Sequence, residues 1–247
     1  MRCLVLQHIA CEPPGAYEDE LAASGATLHR VELDEGEPVP DWRGFDALIA
    51  MGGPMSVNDD ATLPWLRAEK RMIGDAVRAG LPYWGVCLGS QLLAVSLGAK
   101  VYPGPGPEVG VMPVSLTREA MTDPVFAGTG PELLTLQWHN ETFDVPTGGV
   151  VLARSDLYPA QAFRWGPVAY GLQFHLEVSA DLAERWAAVP AYAADLERVL
   201  GAGALARLVA DLAGRGPVMN AGARAMFRRW LDLAGARGDR RSTCRPA

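Results

Sequence analysis

The 247-residue sequence lacks any apolar run long enough to cross a bilayer, so a membrane-spanning protein is not expected. It has only four cysteines, Cys3, Cys11, Cys87 and Cys244, with no CxxC pair and no histidine pattern beside them. A structural zinc site or a disulfide framework is therefore not expected, and a reduced, cytoplasmic setting fits best. Basic runs are scarce and the formal net charge is −7, which argues against a nucleic-acid partner. The stretch from Arg237 to Arg245 is the one basic run of note, and it reads as a solvated, frayed end. The opening "MRCLVLQHIACEPPG" lacks the length and the small-residue cleavage site of a secretion signal, and a first β-strand explains it better. Internal repeats and long linkers are absent too. "GAG" and "GTG" occur without the strand-to-helix context of a dinucleotide-binding loop, so no nucleotide site is assigned to them.

What is present is a globular composition, 49% hydrophobic and 21% charged. "RCLVLQH", the segment after "EDELAASGA", "FDALIAMGG" and "LPYWGV" read as strands, with helices between them. In "LPWLRAEKRMIGDAVRAG", Leu66, Met72, Ile73, Ala76 and Val77 recur at helical spacing, and Gly80 suits the cap. Such alternation predicts an α/β fold: an open, mostly parallel, flavodoxin-like sheet with helices on both faces. The middle of the chain is strand-rich, which predicts a small side sheet plus the last strands of the main one. Beyond Ser179 the sequence is rich in Ala and Leu and reads as helical. The expected organisation is a main unit over 1–190 and a helical C-terminal extension of the same domain over 191–247.

Three stretches place reactive groups where open α/β sheets collect them, at the C-terminal ends of strands. "GVCLGSQ" sets Cys87 between Gly85 and Gly89, the pattern of a nucleophile elbow with sulfur in place of oxygen. There the thiol meets a helix N-terminus, whose dipole favours the thiolate. "QFHLEV" carries His175 and Glu177 two residues apart, on one side of a strand, where the carboxylate can orient the imidazole. "AMGGPMSV" offers backbone amides at Gly52 and Gly53 that, with the amide of Leu88, can bind a developing oxyanion. Each such donor is worth roughly 3–4 kcal/mol of barrier.

Together "LVLQH", "MGGPMSV", "WGVCLGSQLLA", "WHNETFDVP" and "QFHLEV" resemble the class I glutamine amidotransferases, in particular their stand-alone, GMP-synthase-like branch, over about residues 1–190. The resemblance implies Cys87 as nucleophile, His175 as general base and acid, and Glu177 as its orienter. It implies oxyanion amides at Gly53 and Leu88, a substrate contact at Gln91, and a glutamine-binding neighbourhood that takes in Gly52. The Pro- and Gly-rich "PGPGPEVG" reads by itself as a plain loop. The family lines its glutamine site at this place, which makes Glu108, Val109 and Gly110 further candidates. His139, with Glu141 two residues on, mimics the His-x-Glu pair. His175 is preferred because "QFHLEV" follows an apolar strand and precedes a helix, whereas in the family the Trp-His segment shapes the pocket mouth.

The implied reaction is attack of Cys87 on the side-chain amide of glutamine, followed by hydrolysis of a γ-glutamyl thioester. It calls for no metal and no cofactor. Residues 191–247 carry no P-loop and no "SGGxDS" signature, so GMP synthesis by this chain alone is not expected. Three readings stay open: a glutaminase that feeds a synthetase partner, a stand-alone hydrolase or transferase of γ-glutamyl peptides and amides, and a binding or regulatory module without turnover.

Overall fold

β1 (Arg2–Gln7) is buried from Cys3 onward, as a strand covered on both faces must be. The computed structural model describes residues 1–242, with side chains to residue 236. The side chains of the Arg237–Arg245 run lie outside that range, and so do Cys244 and the expected frayed tail. β1 is followed by α1 (Ala16–Ala23), β2 (Thr27–Glu32), β3 (Ala47–Ala50), α2 (Trp65–Arg78), β4 (Tyr83–Val86) and α3 (Leu88–Ser96). The middle strands are β5 (Val101–Leu116), β6 (Glu132–Phe143), β7 (Gly149–Arg154) and β8 (Ala162–Trp165). β9 (Ala169–Leu172), α4 (Ala180–Ala187), α5 (Pro190–Leu200) and α6 (Ala204–Ser242) complete the order.

The described strands form one sheet, ordered β2-β1-β3-β4-β9-β8-β7-β5-β6. Its first five members are parallel, and from β9 to β6 every pairing is antiparallel. The α/β class holds, and one detail changes: no side sheet stands apart. The middle strands hydrogen-bond onto β9 through β8 and extend the main sheet. "PGPGPEVG" is likewise no plain loop but part of β5, whose pairing with β6 is interrupted between Pro103 and Glu108. Proline lacks the ladder donor, so a run with three of them breaks register without leaving the strand direction.

Helices cover both faces. α2 and α3 bury Leu66, Ile73, Leu92 and Leu93 on one face. On the other, Tyr17 of α1 and Phe227 and Trp230 of α6 pack around Trp84 of β4. Arg224 and Arg228 of α6 pair with Asp19 and Glu20 of α1, the latter through two bonds of 2.8 Å. A third cluster joins α4, α5 and the start of α6 to Val109, Leu136 and Trp138 of the β5–β6 hairpin. Two links place that hairpin and α6 beside the segment after β9. Leu136 and His175 exchange backbone hydrogen bonds of 2.9 and 2.8 Å, and Asn220 Nδ2 donates to the carbonyls of Leu176 and Val178.

Candidate active site

At the end of β4 the chain turns sharply. Cys87 has φ 51° and ψ −107°, the one positive φ at a non-glycine residue among the described residues, and α3 begins at the next residue. Such a conformation is strained and persists only where its surroundings hold it. The Cys87 amide donates to Leu172 of β9 at 2.7 Å, and its carbonyl accepts from Ser90 Oγ at 2.7 Å. The flanking glycines allow the backbones to close in. A Cβ on Gly85 would stand 2.5 Å from the carbonyl oxygen of Gly89, and one on Gly89 would collide with the carbonyl of Ala50.

Cys87 lines a cavity of about 180 Å³ together with Gly53, Leu88 and Gln91. Trp138, His139, Asn140 and Glu141 of β6 form a second wall, and Tyr192 and Asp195 of α5 a third. Behind the thiol, Gln173 Nε2 donates to Cys87 Sγ at 3.7 Å, and its Oε1 accepts from Gln91 Nε2 at 3.1 Å.

His175 and Glu177 are buried, with Nδ1 2.7 Å from Glu177 Oε1. The other carboxylate oxygen accepts from the Leu176 amide at 2.9 Å, which fixes the carboxylate. Since Nδ1 serves Glu177, Nε2 is the ring nitrogen left for another partner. Burial by itself would lower the imidazole pKa, but the Glu177 charge and hydrogen bond, with the Cys87 thiol adding to them, raise it well above the ordinary value. Trp186 of α4 packs edge-on against the ring, centroids 4.7 Å apart, and its indole donates to the Cys11 carbonyl at 2.8 Å.

Six sequence candidates fall outside the cavity lining: the buried His175 and Glu177, and Gly52, Glu108, Val109 and Gly110. Gly52 offers its carbonyl to His8, and a Cβ there would strike Glu12 and come within 3.3 Å of His175 Cε1. Glu108 is buried against His139 Nε2, 3.3 Å away, and accepts from Gln161 at 2.5 Å. Val109 belongs to the third core cluster, and Gly110, at φ 120°, faces Leu200 of α5. Val109 and Gly110 serve the joint between hairpin and helices, whereas Glu108 backs His139, which lines the cavity.

Sequence reasoning missed Glu12, Tyr192 and Asp195. Glu12 is buried on the loop after β1 and accepts a short hydrogen bond from the Tyr192 hydroxyl. Burial raises its pKa, while His175 and Tyr192 act to lower it. Tyr192 and Asp195 sit three apart on one helix face, a spacing too common to single them out. Among the described residues no group of three or more His, Cys, Asp or Glu side chains is arranged to hold a metal ion, and no helix is long and apolar enough to cross a membrane.

Residues 16–185 match the family model described as glutamine amidotransferase class-I. The chain belongs to this family. It is 34% identical over 188 residues to the glutamine amidotransferase-like protein YfeJ of Salmonella typhimurium, covering 74% of this chain and 79% of that one. It is 33% identical over 144 residues to one subunit of the glutamine-hydrolyzing GMP synthase of Ignicoccus hospitalis, covering 57% and 71%. A solved glutamine amidotransferase from Thermotoga maritima superimposes with a TM-score of 0.83 at 29% identity, covering 94% of this chain and 98% of the other. One from Methylobacillus flagellatus gives 0.84 at 31%, covering 94% of each. In this amidotransferase the matched span stops before α5, yet α5 supplies two of the cavity's lining residues.

Proposed function

We propose that this amidotransferase hydrolyses the side-chain amide of glutamine, or of a related γ-glutamyl compound, through a γ-glutamyl thioester on Cys87. The observation that carries the reading is the strained turn at Cys87, which presents a thiol to a cavity also lined by Gly53, Leu88 and Gln91, in a fold that buries a His175–Glu177 pair hydrogen-bonded at 2.7 Å. The Cys87 sulfur attacks the amide carbon, and the carbonyl oxygen becomes an oxyanion facing the Gly53 and Leu88 amides. His175, protonated at Nε2, gives that proton to the departing nitrogen, and ammonia leaves. Water, deprotonated by the now neutral His175, attacks the thioester. Glutamate departs, and the sulfur recovers its electron pair. Gln91 and Gln173 flank the nucleophile and suit the polar end of the substrate.

The ammonia acceptor is read as a synthetase partner, because relatives at about a third identity carry the name of one subunit of GMP synthase. A stand-alone hydrolase or transferase of γ-glutamyl peptides and amides is the second reading. The chain's own α5 supports it by walling the cavity. The purified protein is expected to release ammonia from glutamine or a γ-glutamyl amide, and Cys87→Ala is expected to lower the rate at least about a thousandfold. Ammonia release that survives Cys87→Ala would sink the mechanism. Strong turnover of γ-glutamyl peptides without a partner selects the second reading over the first.

A further inference from the structure

His8 stands just past β1, fully buried, and takes no part in the thiol chemistry. Its Nε2 lies 2.8 Å from Oε1 of Glu69 on α2, a carboxylate that is also fully buried. Its Nδ1 lies 3.2 Å from the Gly52 carbonyl oxygen. A carbonyl oxygen only accepts, so Nδ1 donates to Gly52, and Nε2 shares a proton with the Glu69 carboxyl group. Burial opposes a charge on the ring, but Glu69's charge and hydrogen bond hold the proton on, and the pKa lies above the ordinary imidazole value. Trp65 stacks on the ring at 5.8 Å with the planes 24° apart, so His8 is fixed in orientation as well as in position.

What this fixes is the peptide between Gly52 and Gly53. No described peptide bond is cis, and in a trans peptide the carbonyl and the following N–H point in opposite directions. A glycine pair has wide conformational freedom, and an unpinned peptide there could rotate. Drawing the Gly52 oxygen toward His8 turns the Gly53 N–H the other way. Gly53 is wedged between His8 and α3: a Cβ on it would stand 2.9 Å from His8 Cβ and 3.2 Å from Leu88 Cδ2. It also lines the cavity that holds Cys87.

On the reading that Cys87 is acylated, we propose that His8, braced by Glu69, is a positioning residue that aims the Gly53 amide at the carbonyl oxygen of the substrate. The pair reaches the reacting atoms through that peptide plane, while its charge also faces Glu12, which in turn faces His175. A buried pair of this kind serves the geometry of the site more than stability, since its desolvation offsets much of its attraction.

The test compares His8→Leu with His8→Asn, whose side-chain amide can replace the Nδ1–H donor. His8→Leu is expected to lower kcat on the order of 10- to 100-fold with KM within about twofold, the signature of an interaction made mainly in the transition state. Affinity for glutamate γ-semialdehyde, which forms a tetrahedral hemithioacetal on a thiol, should fall in the same proportion. Alkylation of Cys87 by iodoacetamide develops no oxyanion and should keep its wild-type rate. His8→Asn should recover most of the lost kcat and aldehyde affinity. A His8→Leu enzyme with wild-type kcat and aldehyde affinity overturns the proposal, and so does one whose alkylation rate falls as far as its turnover, because the site as a whole would then have shifted. An Asn variant no better than Leu, with alkylation intact in both, also overturns it. A wild type that reacts with iodoacetamide but turns over no γ-glutamyl donor overturns the acylation reading itself, and the inference with it.

Discussion

At the scale of single residues, the site depends on which proton each histidine holds. His175 is buried, which works against its charge, and it keeps a raised pKa because Glu177 sits 2.7 Å from Nδ1. In the proposed mechanism the proton donor for ammonia departure persists, as pH rises, until the raised pKa is passed. Glu177→Gln removes the charge and leaves the burial, so the His175 pKa must fall. The alkaline limb of kcat/KM is therefore expected to move to lower pH, with a loss of activity on the order of 10²–10⁴-fold at neutral pH. A pH–rate profile checks both, and an alkaline limb that stays in place would remove Glu177 from its assigned role. The positions of Cys87, His175 and Glu177 were legible because each lies in a short motif with local geometry. His8, Glu12 and Glu69 were not, because no local spacing marks them: Glu69 meets His8 across 61 positions, and only the fold brings them together.

At the scale of elements, α5 stands out. Tyr192 and Asp195 reach the cavity, and Tyr192 donates to the buried Glu12. The sequence reading left the role of the C-terminal helices open, with extension of the core as the default, since amphipathic Ala- and Leu-rich helices look alike whether they cover a core or a cavity. Tyr192→Phe keeps the ring packed against Trp138 and Trp186 while leaving Glu12 short of its hydroxyl donor. The expected cost is about 1–3 kcal/mol of stability, read by chemical denaturation, together with a lower kcat/KM. Unchanged stability and unchanged turnover would show that the hydroxyl matters to neither. The strands and helices of the parallel half were legible from apolar periodicity. β5 was not legible across "PGPGPEVG", because proline and glycine signal a loop locally while β6 holds the flanking residues in register.

At the scale of the molecule, the sheet gathers the ends of β1, β3, β4 and β9 along one edge, and the antiparallel half curls back until Leu136 bridges His175. The class of this sheet could be read from alternating strands and helices. That all of its antiparallel members join the main sheet, with none in a separate side sheet, could not, because edge pairings between distant segments leave no periodic trace in sequence. All of this architecture converges on one thiol. The most direct measurement is intact-protein mass spectrometry of the enzyme quenched during turnover of glutamine or a γ-glutamyl amide, followed by peptide mapping. The account predicts a γ-glutamyl group attached at Cys87, absent in Cys87→Ala. Turnover without any acylated cysteine, or with the acyl group on another residue, would contradict it.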